Sequence, residues 1–323
     1  MGTRHGNETK GAAVSPSGIV INFVRGFCMA LADSVPGVSG GTIAFLLGFY
    51  DRFIGSIDDL IHGPGPARIS AVKFLVKIGI GWVVGFGLSA LVLSALFETH
   101  IYAVSSVFLG FIVCAVPIVV MEERANLKGY PLWLAALFVV LGALIVVAIA
   151  TVNPVSGESI DVAVGSLTPG LVVYVLVAGM VAISAMVLPG ISGSTLLLIF
   201  GLYIPIMGAV RSVLGLDLAY LPVLLVFAAG IVLGVVLFVR LIRRCLERFR
   251  PQTIYLIVGM MVGSLYAITQ GPLTLDDPLP AMTLSTFSIG FFLLGGVVVA
   301  GLQLLKMKLA DPDEAKKAQE AKR

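Results

Sequence analysis

Long apolar runs recur along almost the whole chain, from Ile19 to Leu305, and constrain its fold more than any other feature. A membrane has a hydrocarbon layer about 30 Å thick, which a helix of about 20 apolar residues can cross, since each residue rises about 1.5 Å. With 58% hydrophobic and only 12% charged residues, the composition excludes an ordinary soluble domain. We therefore expect an all-α polytopic membrane protein.

The apolar runs are of two kinds. Two regions, 19–56 and 170–212, are each interrupted near the middle by Pro-Gly and then Ser-Gly. Before the first lies a polar N-terminal segment, 1–18, without the apolar core of a signal peptide, and a charged tail, 309–323, ends the chain. Uninterrupted spans are expected at residues 74–97, 102–120, 131–151, 220–242, 252–270 and 285–307.

Lys and Arg residues are distributed unevenly over the loops. They flank the first interrupted region, occupy the loop at 121–130, crowd the turn after the fourth span and follow the last one. The loops at 98–101, 152–169 and 271–284 have none, and Arg211 is the exception on their side. Because basic loops stay in the cytoplasm, this pattern predicts a bacterial inner-membrane protein with cytoplasmic N- and C-termini. It also explains the net charge of +3 without nucleic-acid binding.

The two interrupted regions are copies of one motif, 153 residues apart. The recurring residues are Pro36, Gly37, Ser39, Gly40, Thr42, Gly48 and Tyr50, matched by Pro189, Gly190, Ser192, Gly193, Thr195, Gly201 and Tyr203. Three spans separate the copies, so the second half is inverted relative to the first. We predict two inverted-topology repeats, 19–160 and 161–308, each a re-entrant hairpin plus three transmembrane helices, which is typical of secondary transporters. The longer limbs of the second copy leave open whether it spans fully.

The interruptions suit an anion. Pro-Gly ends one limb, and the next begins with backbone N–H groups that have no partner inside their own helix. Such a helix start carries roughly +0.5 charge, and nearby hydroxyls add donors for a phosphate. The alternative is that these small residues serve only close helix packing. The predicted binding residues at the two starts are Ser39, Gly40, Gly41, Thr42, Ser192, Gly193, Ser194 and Thr195.

Charged residues within the apolar regions are costly and are candidates for function. Arg25 is predicted to hold a phosphate bidentately, or else to extend to the cytoplasmic interface. Asp33 is the candidate for a coupling proton or another cation, or else it neutralises Arg25. Arg52 and Arg211 end the returning limbs, where they gather an anionic headgroup on opposite sides or act as interface anchors.

The segment from Ala32 to Arg52, with Asp33-Ser34-Val35-Pro36-Gly37 and Gly48-Phe49-Tyr50, resembles the PopT-type polyprenyl-phosphate transporters. The resemblance covers residues 19 to about 305. It implies a flippase that returns undecaprenyl phosphate from the outer to the inner leaflet, so that this carrier lipid is reused in peptidoglycan and surface-polymer synthesis. The implied partner is an anionic polyprenyl-phosphate lipid, without a cofactor. A homo-oligomer stays open. The second copy departs from the first, with Met186 in place of Asp33.

Three other classes of protein are alternatives to a lipid transporter. A transporter or channel for a small anion such as phosphate, sulfate or a carboxylate would use the same helix starts. An intramembrane serine protease is disfavoured, because the histidines, His5, His62 and His100, lie in the tail or loops and leave Ser39 without a base. No metal-ligand spacing is present, and the three cysteines are scattered. Charges and helix breaks within the membrane argue against a scaffold protein. Because neither a base for Ser39 nor a metal site is recognisable, no enzyme activity is expected.

Overall fold

A computed structural model describes residues 16–33, 39–151, 168–190, 193, 196–197, 200–274 and 279–308. The described chain is helical throughout, with short loops, 3₁₀ turns and a π-helical turn at Val235–Val239. Its α-helices are α1 Pro16–Asp33, α2 Gly40–Leu46, α3 Tyr50–His62, α4 Gly65–Glu122, α5 Arg124–Leu127, α6 Leu132–Thr151, α7 Pro169–Val187, α8 Tyr203–Leu214, α9 Leu221–Gly234, α10 Arg240–Arg248, α11 Arg250–Gln270 and α12 Ile289–Lys308.

Within the described residues, six helical segments are long and apolar enough to cross a membrane, which confirms the all-α polytopic membrane protein. They are Gly65–Ser89, His100–Glu122, Leu132–Thr151, Pro169–Val187, Leu218–Arg248 and Arg250–Leu273. Large apolar side chains such as Trp133, Val232 and Leu293 are exposed on the outside of the bundle, where they suit lipid. A shorter apolar stretch, Ile289–Leu304, lies in α12.

The helical segment α4 contains the two spans that the pattern places at 74–97 and 102–120. They meet at a kink at His100, whose φ of −138° and ψ of 36° lie outside helical geometry, and the candidate spans on either side are Gly65–Ser89 and His100–Glu122. In the second interrupted region, the 19-residue α7 is long and apolar enough to cross a membrane.

Glycines bring helices of the same half into backbone contact. Gly81 and Gly85 of α4 lie against the carbonyls of Phe23 and Phe27, and a Cβ on Gly85 would stand 2.7 Å from Phe27 O. Since the contact advances in the same direction on both helices, α1 and α4 run parallel. In the second half Gly230 and Gly234 of α9 meet Leu176 and Met180 of α7, so α7 and α9 are parallel too.

Glycines also bring helices of different halves into contact, and these contacts are reciprocal. Gly259 and Gly263 of α11 lie against Val139 and Ala143 of α6. The part of α4 that follows His100 packs on α12 in the same way, with Gly110 against Phe292 and Gly295 against Val107. The third span of each half therefore runs parallel to the second span of the other half.

The two copies of the motif share one backbone conformation where their returning limbs bend. Gly48 has φ +71° and Gly201 has φ +64°, a left-handed geometry that ends a helix and favours glycine. Equivalent backbone hydrogen bonds close both bends, from Leu47 N to Ile43 O and Phe49 N to Ala44 O in the first copy, and from Phe200 N to Leu196 O and Leu202 N to Leu197 O in the second. The part of the first interrupted region that follows its Pro-Gly is thus broken into two helices, α2 and α3.

Candidate functional site at the crossing of the broken helices

The interrupted segments of the two halves are in direct contact. Ser39 Oγ lies 3.0 Å from the carbonyl oxygen of Leu188 and 3.2 Å from that of Met186, and the Gly190 N–H donates to Thr42 Oγ1 at 3.1 Å. Ser39 and Thr42 are fully buried. We call this contact, between residues 39–42 and 186–190, the crossing. It brings together four of the predicted binding residues, Ser39, Gly40, Gly41 and Thr42, and the Pro-Gly turn of the other half.

Only a glycine allows the close approach at the crossing. A Cβ on Gly41 would stand 2.8 Å from Val187 O and 3.1 Å from the carbonyl carbon of Leu188. These are backbone atoms, which cannot move aside as the end of a side chain would. Gly41 therefore keeps the start of α2 in van der Waals contact with the end of α7.

The crossing lies at the middle of the bundle. A Cβ on Gly190 would stand 2.6 Å from the carbonyl carbon of Met260. Met260 is the eleventh residue of the 21-residue helix α11, so it lies about 15 Å from either end of that helix. Polar backbone groups at this depth need partners within the protein, because lipid offers none.

Hydroxyl groups of the first half provide those partners for the end of α7. The last carbonyl oxygens of a helix receive no hydrogen bond from an N–H group of the same helix. Tyr50, which is 2% exposed, donates to Val187 O at 3.2 Å, and Ser39 donates to the neighbouring carbonyls. Sequence reasoning missed Tyr50 as a site residue, although its recurrence as Tyr203 marked it as part of the motif.

Asp33 is bound to the start of α2 and to a tryptophan. Its Oδ1 accepts from the Gly40 N–H at 2.6 Å, and its Oδ2 accepts from the Trp82 indole N–H at 2.9 Å. The Trp82 ring in turn stacks on Phe86, with centroids 4.9 Å apart and planes 10° apart. The indole is therefore held in place from one side by the neighbouring ring and from its N–H by the carboxylate.

Trp82 was not identified from the sequence, although the repeat contains a signal for it. The position 153 residues after Asp33 is Met186, and the position 153 residues after Trp82 is Val235. Both members of the polar pair are thus replaced by apolar residues in the second half. This joint replacement is the signal that the repeat offers for the pair.

The first backbone N–H groups of α2 all have partners within the protein. Gly40 donates to Asp33, Gly41 donates to Ser39 Oγ at 3.1 Å, and Thr42 donates to the Ser39 carbonyl at 2.9 Å. The place that the sequence analysis assigned to a phosphate is thus taken by the carboxylate of Asp33. An incoming anion has to displace that carboxylate to reach the Gly40 N–H.

The remaining predicted residues are only partly described. Gly193 is buried against α7, and a Cβ on it would stand 2.7 Å from Ala182 O. Ser192, Ser194 and Thr195 lie outside the described residues. The backbone of Arg211 belongs to α8, but its side chain lies outside them as well.

The predicted arginines of the first half lie away from the crossing. Arg25 donates to Asn22 Oδ1 at 3.1 Å, and its guanidinium lies 4.9 Å from the centre of the Phe49 ring. It precedes Asp33 by eight residues on α1, which corresponds to about 12 Å. Arg52 is exposed and lies 4.4 Å over the Phe74 ring. Arg25 is thus beside the bend between α2 and α3, and Arg52 is on the surface just beyond it.

The described residues contain no group of three or more His, Cys, Asp or Glu side chains that could hold a metal ion. Within the same residues, His62 is paired with Asp58 and His100 lies at the kink of α4, so neither is a base for Ser39. The hydroxyl of Ser39 is engaged by backbone groups of the crossing instead.

Helices that break at membrane depth and meet there, lined by glycines and holding a carboxylate, define a membrane transporter. The chain belongs to the undecaprenyl phosphate translocase-like family. The family model described as "VCA0040-like: Undecaprenyl phosphate translocase-like" matches residues 29–283.

Two relatives carry the name polyprenyl-phosphate transporter. The protein from Vibrio cholerae is 32% identical over 257 residues, which are 75% of this chain and 75% of that protein. The protein from Staphylococcus aureus is 35% identical over 272 residues, which are 84% of this chain and 93% of that protein. No solved structure matches the chain.

Proposed function

We propose that the protein is a flippase that moves undecaprenyl phosphate from the outer to the inner leaflet of the bacterial inner membrane, so that the carrier lipid can be used again. The crossing carries this proposal, since it is a mid-depth polar contact built from both halves. The names of the relatives supply the class of lipid. The headgroup passes through the crossing while the prenyl chain stays in the hydrocarbon.

The proposal includes two inverted repeats with re-entrant segments. The parallel course of α1 and α4 supports it, because α2 and α3 must then return the chain to the side where α1 begins. The same holds for α7 and α9, and the reciprocal contacts between the halves fit an approximate two-fold relation. The end of the bundle that carries Arg243, Arg250 and Lys306 faces the cytoplasm, together with both termini.

Asp33 acts as a stand-in for the phosphate in this mechanism. Its carboxylate occupies the Gly40 N–H until the headgroup arrives, and the phosphate then takes over that donor together with the hydroxyls of Ser39 and Thr42. Ser192, Gly193, Ser194 and Thr195 of the second copy stay predicted members of the same seat. Displacing Asp33 leaves a carboxylate at membrane depth, which is costly unless it takes up a proton or another cation. Asp33 is therefore the coupling residue.

Arg25 receives the headgroup after the crossing. It lies about 12 Å further toward the proposed cytoplasmic end along α1, so it cannot share the first seat in this conformation. The Arg25 guanidinium, 4.9 Å from the centre of the Phe49 ring, can exchange that ring for two phosphate oxygens. The release path then leads past the exposed Arg52.

The test is reconstitution into liposomes with a leaflet-specific assay of undecaprenyl phosphate. The parent protein is expected to move the lipid between leaflets, and Asp33→Asn and Arg25→Gln are each expected to slow it at least about tenfold, since each removes a charged hydrogen-bond partner. Lys128→Gln, in the loop after α5, is the matched charge control. Failure of the parent to move the lipid overturns the proposal.

Inorganic phosphate distinguishes the small-anion alternative. If phosphate enters the liposomes through the protein and competes with the lipid, the substrate is the small anion. If it neither enters nor competes, recognition includes the prenyl chain, as proposed.

A further inference from the structure

Ion pairs between the two halves have a consistent polarity. Each such pair in the described structure joins an acid of the first half to a base of the second half, and each lies at the end of the bundle that we assign to the cytoplasm. The pairs are Asp58–Arg243 at 2.8 Å, Asp59–Arg243 at 2.7 Å, Asp51–Arg250 at 2.8 Å, Glu123–Arg250 at 2.7 Å and Glu122–Lys306 at 2.6 Å.

Several of these groups are shielded from water. The side chain of Asp58 is 11% exposed and that of Glu123 is 13% exposed. Arg250 contacts both carboxylate oxygens of Glu123, from Nε at 2.9 Å and from a terminal nitrogen at 2.7 Å. Forked and partly desolvated pairs are stronger than ordinary surface pairs.

The bases of these pairs have no basic counterparts in the first half. The positions 153 residues before Arg243, Arg250 and Lys306 are Ala90, Phe97 and Asn153. The counterparts of the acids are mixed: the positions 153 residues after Asp51, Asp58, Asp59, Glu122 and Glu123 are Ile204, Arg211, Ser212, Leu275 and Asp276. An approximate two-fold relation between the halves would place Ala90, Phe97 and Asn153 at the other end, so the same pairs cannot form there. Within the described residues, the ion pairs between the halves are confined to one end.

The ion pairs are connected to the crossing through α2. Three of the acids lie on α3, which follows α2 after the bend at Gly48. The last residue of α2, Leu46, contacts α12. Its carbonyl oxygen lies 3.5 Å from the Lys306 ammonium and accepts a hydrogen bond from Gln303 Nε2 at 3.4 Å. The seven-residue helix α2 thus has its start in the crossing and its end among the ion pairs.

We propose that these five ion pairs form a latch that closes the cytoplasmic side of the transporter. The structure has the latch closed. Opening toward the cytoplasm separates α10 and α11 from α3, and Arg250 and Lys306 from Glu123 and Glu122 at the end of α4. The helix α2 moves with α3, which pulls Ser39 away from Leu188. Because the bases of the latch have no basic counterparts in the first half, the latch biases the resting protein toward accepting substrate from the outer leaflet. The inference rests on the proposed function for the direction of transport.

The first test measures access to the crossing without any substrate. Ser39→Cys is introduced in a variant that lacks Cys28, Cys114 and Cys245, and a membrane-impermeant thiol reagent is added from the cytoplasmic side in inverted vesicles. Arg243→Gln combined with Arg250→Gln is expected to raise the labelling rate about tenfold, the change that corresponds to loss of several pairs of this strength. Arg240 and Arg244, which have no ion pair among the described residues, give the control variant Arg240→Gln/Arg244→Gln.

Equal labelling rates in the latch variant and the parent overturn the proposal. A second measurement tests the latch even if the Arg243→Gln/Arg250→Gln variant does not fold. Asp59→Cys and Arg243→Cys are joined by a reducible thiol cross-linker, which ties α3 to α10. Transport of undecaprenyl phosphate is expected to stop and to return on reduction, whereas cross-linking Arg243→Cys to Glu247→Cys within α10 leaves it running.

The two measurements separate this inference from the proposed function. Faster labelling in a protein that moves no undecaprenyl phosphate supports the latch and overturns the substrate. Undiminished lipid transport with α3 tied to α10 supports the substrate and overturns the latch.

Discussion

Gly190 is a position where one added carbon atom should disturb the crossing. Its φ is +88°, which residues with a side chain rarely adopt. A Cβ there would stand 2.6 Å from the carbonyl carbon of Met260 and 2.9 Å from the Met261 nitrogen. Gly190→Ala must therefore strain the turn or push the end of α7 away from α11.

The expected loss of stability has two parts. A left-handed conformation costs a non-glycine residue about 1–2 kcal/mol. Forcing an extra carbon into a packed site costs about 1–3 kcal/mol, here at the upper end because the neighbours are backbone atoms. With an unfolding entropy of about 2.1 cal/mol/K per residue, a chain of 323 residues loses about 1.5 °C of Tm per kcal/mol, so a total cost of about 4–5 kcal/mol should lower Tm by about 6–8 °C.

The assay is thermal unfolding of the purified protein in detergent, followed by the fluorescence of Trp82 and Trp133, the only two tryptophans. Gly208→Ala is the matched control, since a Cβ there meets nothing within 4 Å and the change adds up to about 1 kcal/mol of helix propensity. Its Tm should stay level or rise slightly. A Tm for Gly190→Ala within about 2 °C of the parent would refute the tight backbone contact on which the crossing depends.

Three further predictions concern polar groups. Trp82→Phe keeps the stacked ring but removes one donor from Asp33, so transport of undecaprenyl phosphate in liposomes should fall about tenfold. Ser39→Ala removes the side-chain cap of α2 and should lower stability by about 1–2 kcal/mol, seen as a lower Tm. Although burial raises the pKa of Glu123, hydrogen bonds from Arg250 and Asn126 and the nearby positive charges outweigh it and hold that pKa below its ordinary value of 4.5. The pair with Arg250 therefore adds stability above this pH and loses it as the pH falls further, so Tm measured from pH 6 to pH 3 should fall less in Glu123→Gln than in the parent.

The membrane helices and the repeat were predictable because they depend on local properties of the chain. The length of an apolar run decides whether a helix can span the bilayer, and the backbone limits of Pro and Gly decide where it breaks. Gly48 and Gly201 show this at single positions, since the matching residues adopt the same left-handed angle. Asp33, Ser39 and Thr42 drew attention for the same reason, because polar groups stand out in an apolar segment, and their role in binding stays a prediction.

The contacts of those residues came only from the tertiary structure. Asp33 meets Trp82 from 49 residues away, Ser39 meets Leu188 from 149 residues away, and Asp58 meets Arg243 from 185 residues away. A helix that is apolar on every side carries no stripe to indicate which face packs and against which neighbour. Hydrophobic length thus determines that the helices cross the membrane, whereas close approach at small residues decides which of them touch, and with that which polar groups become partners.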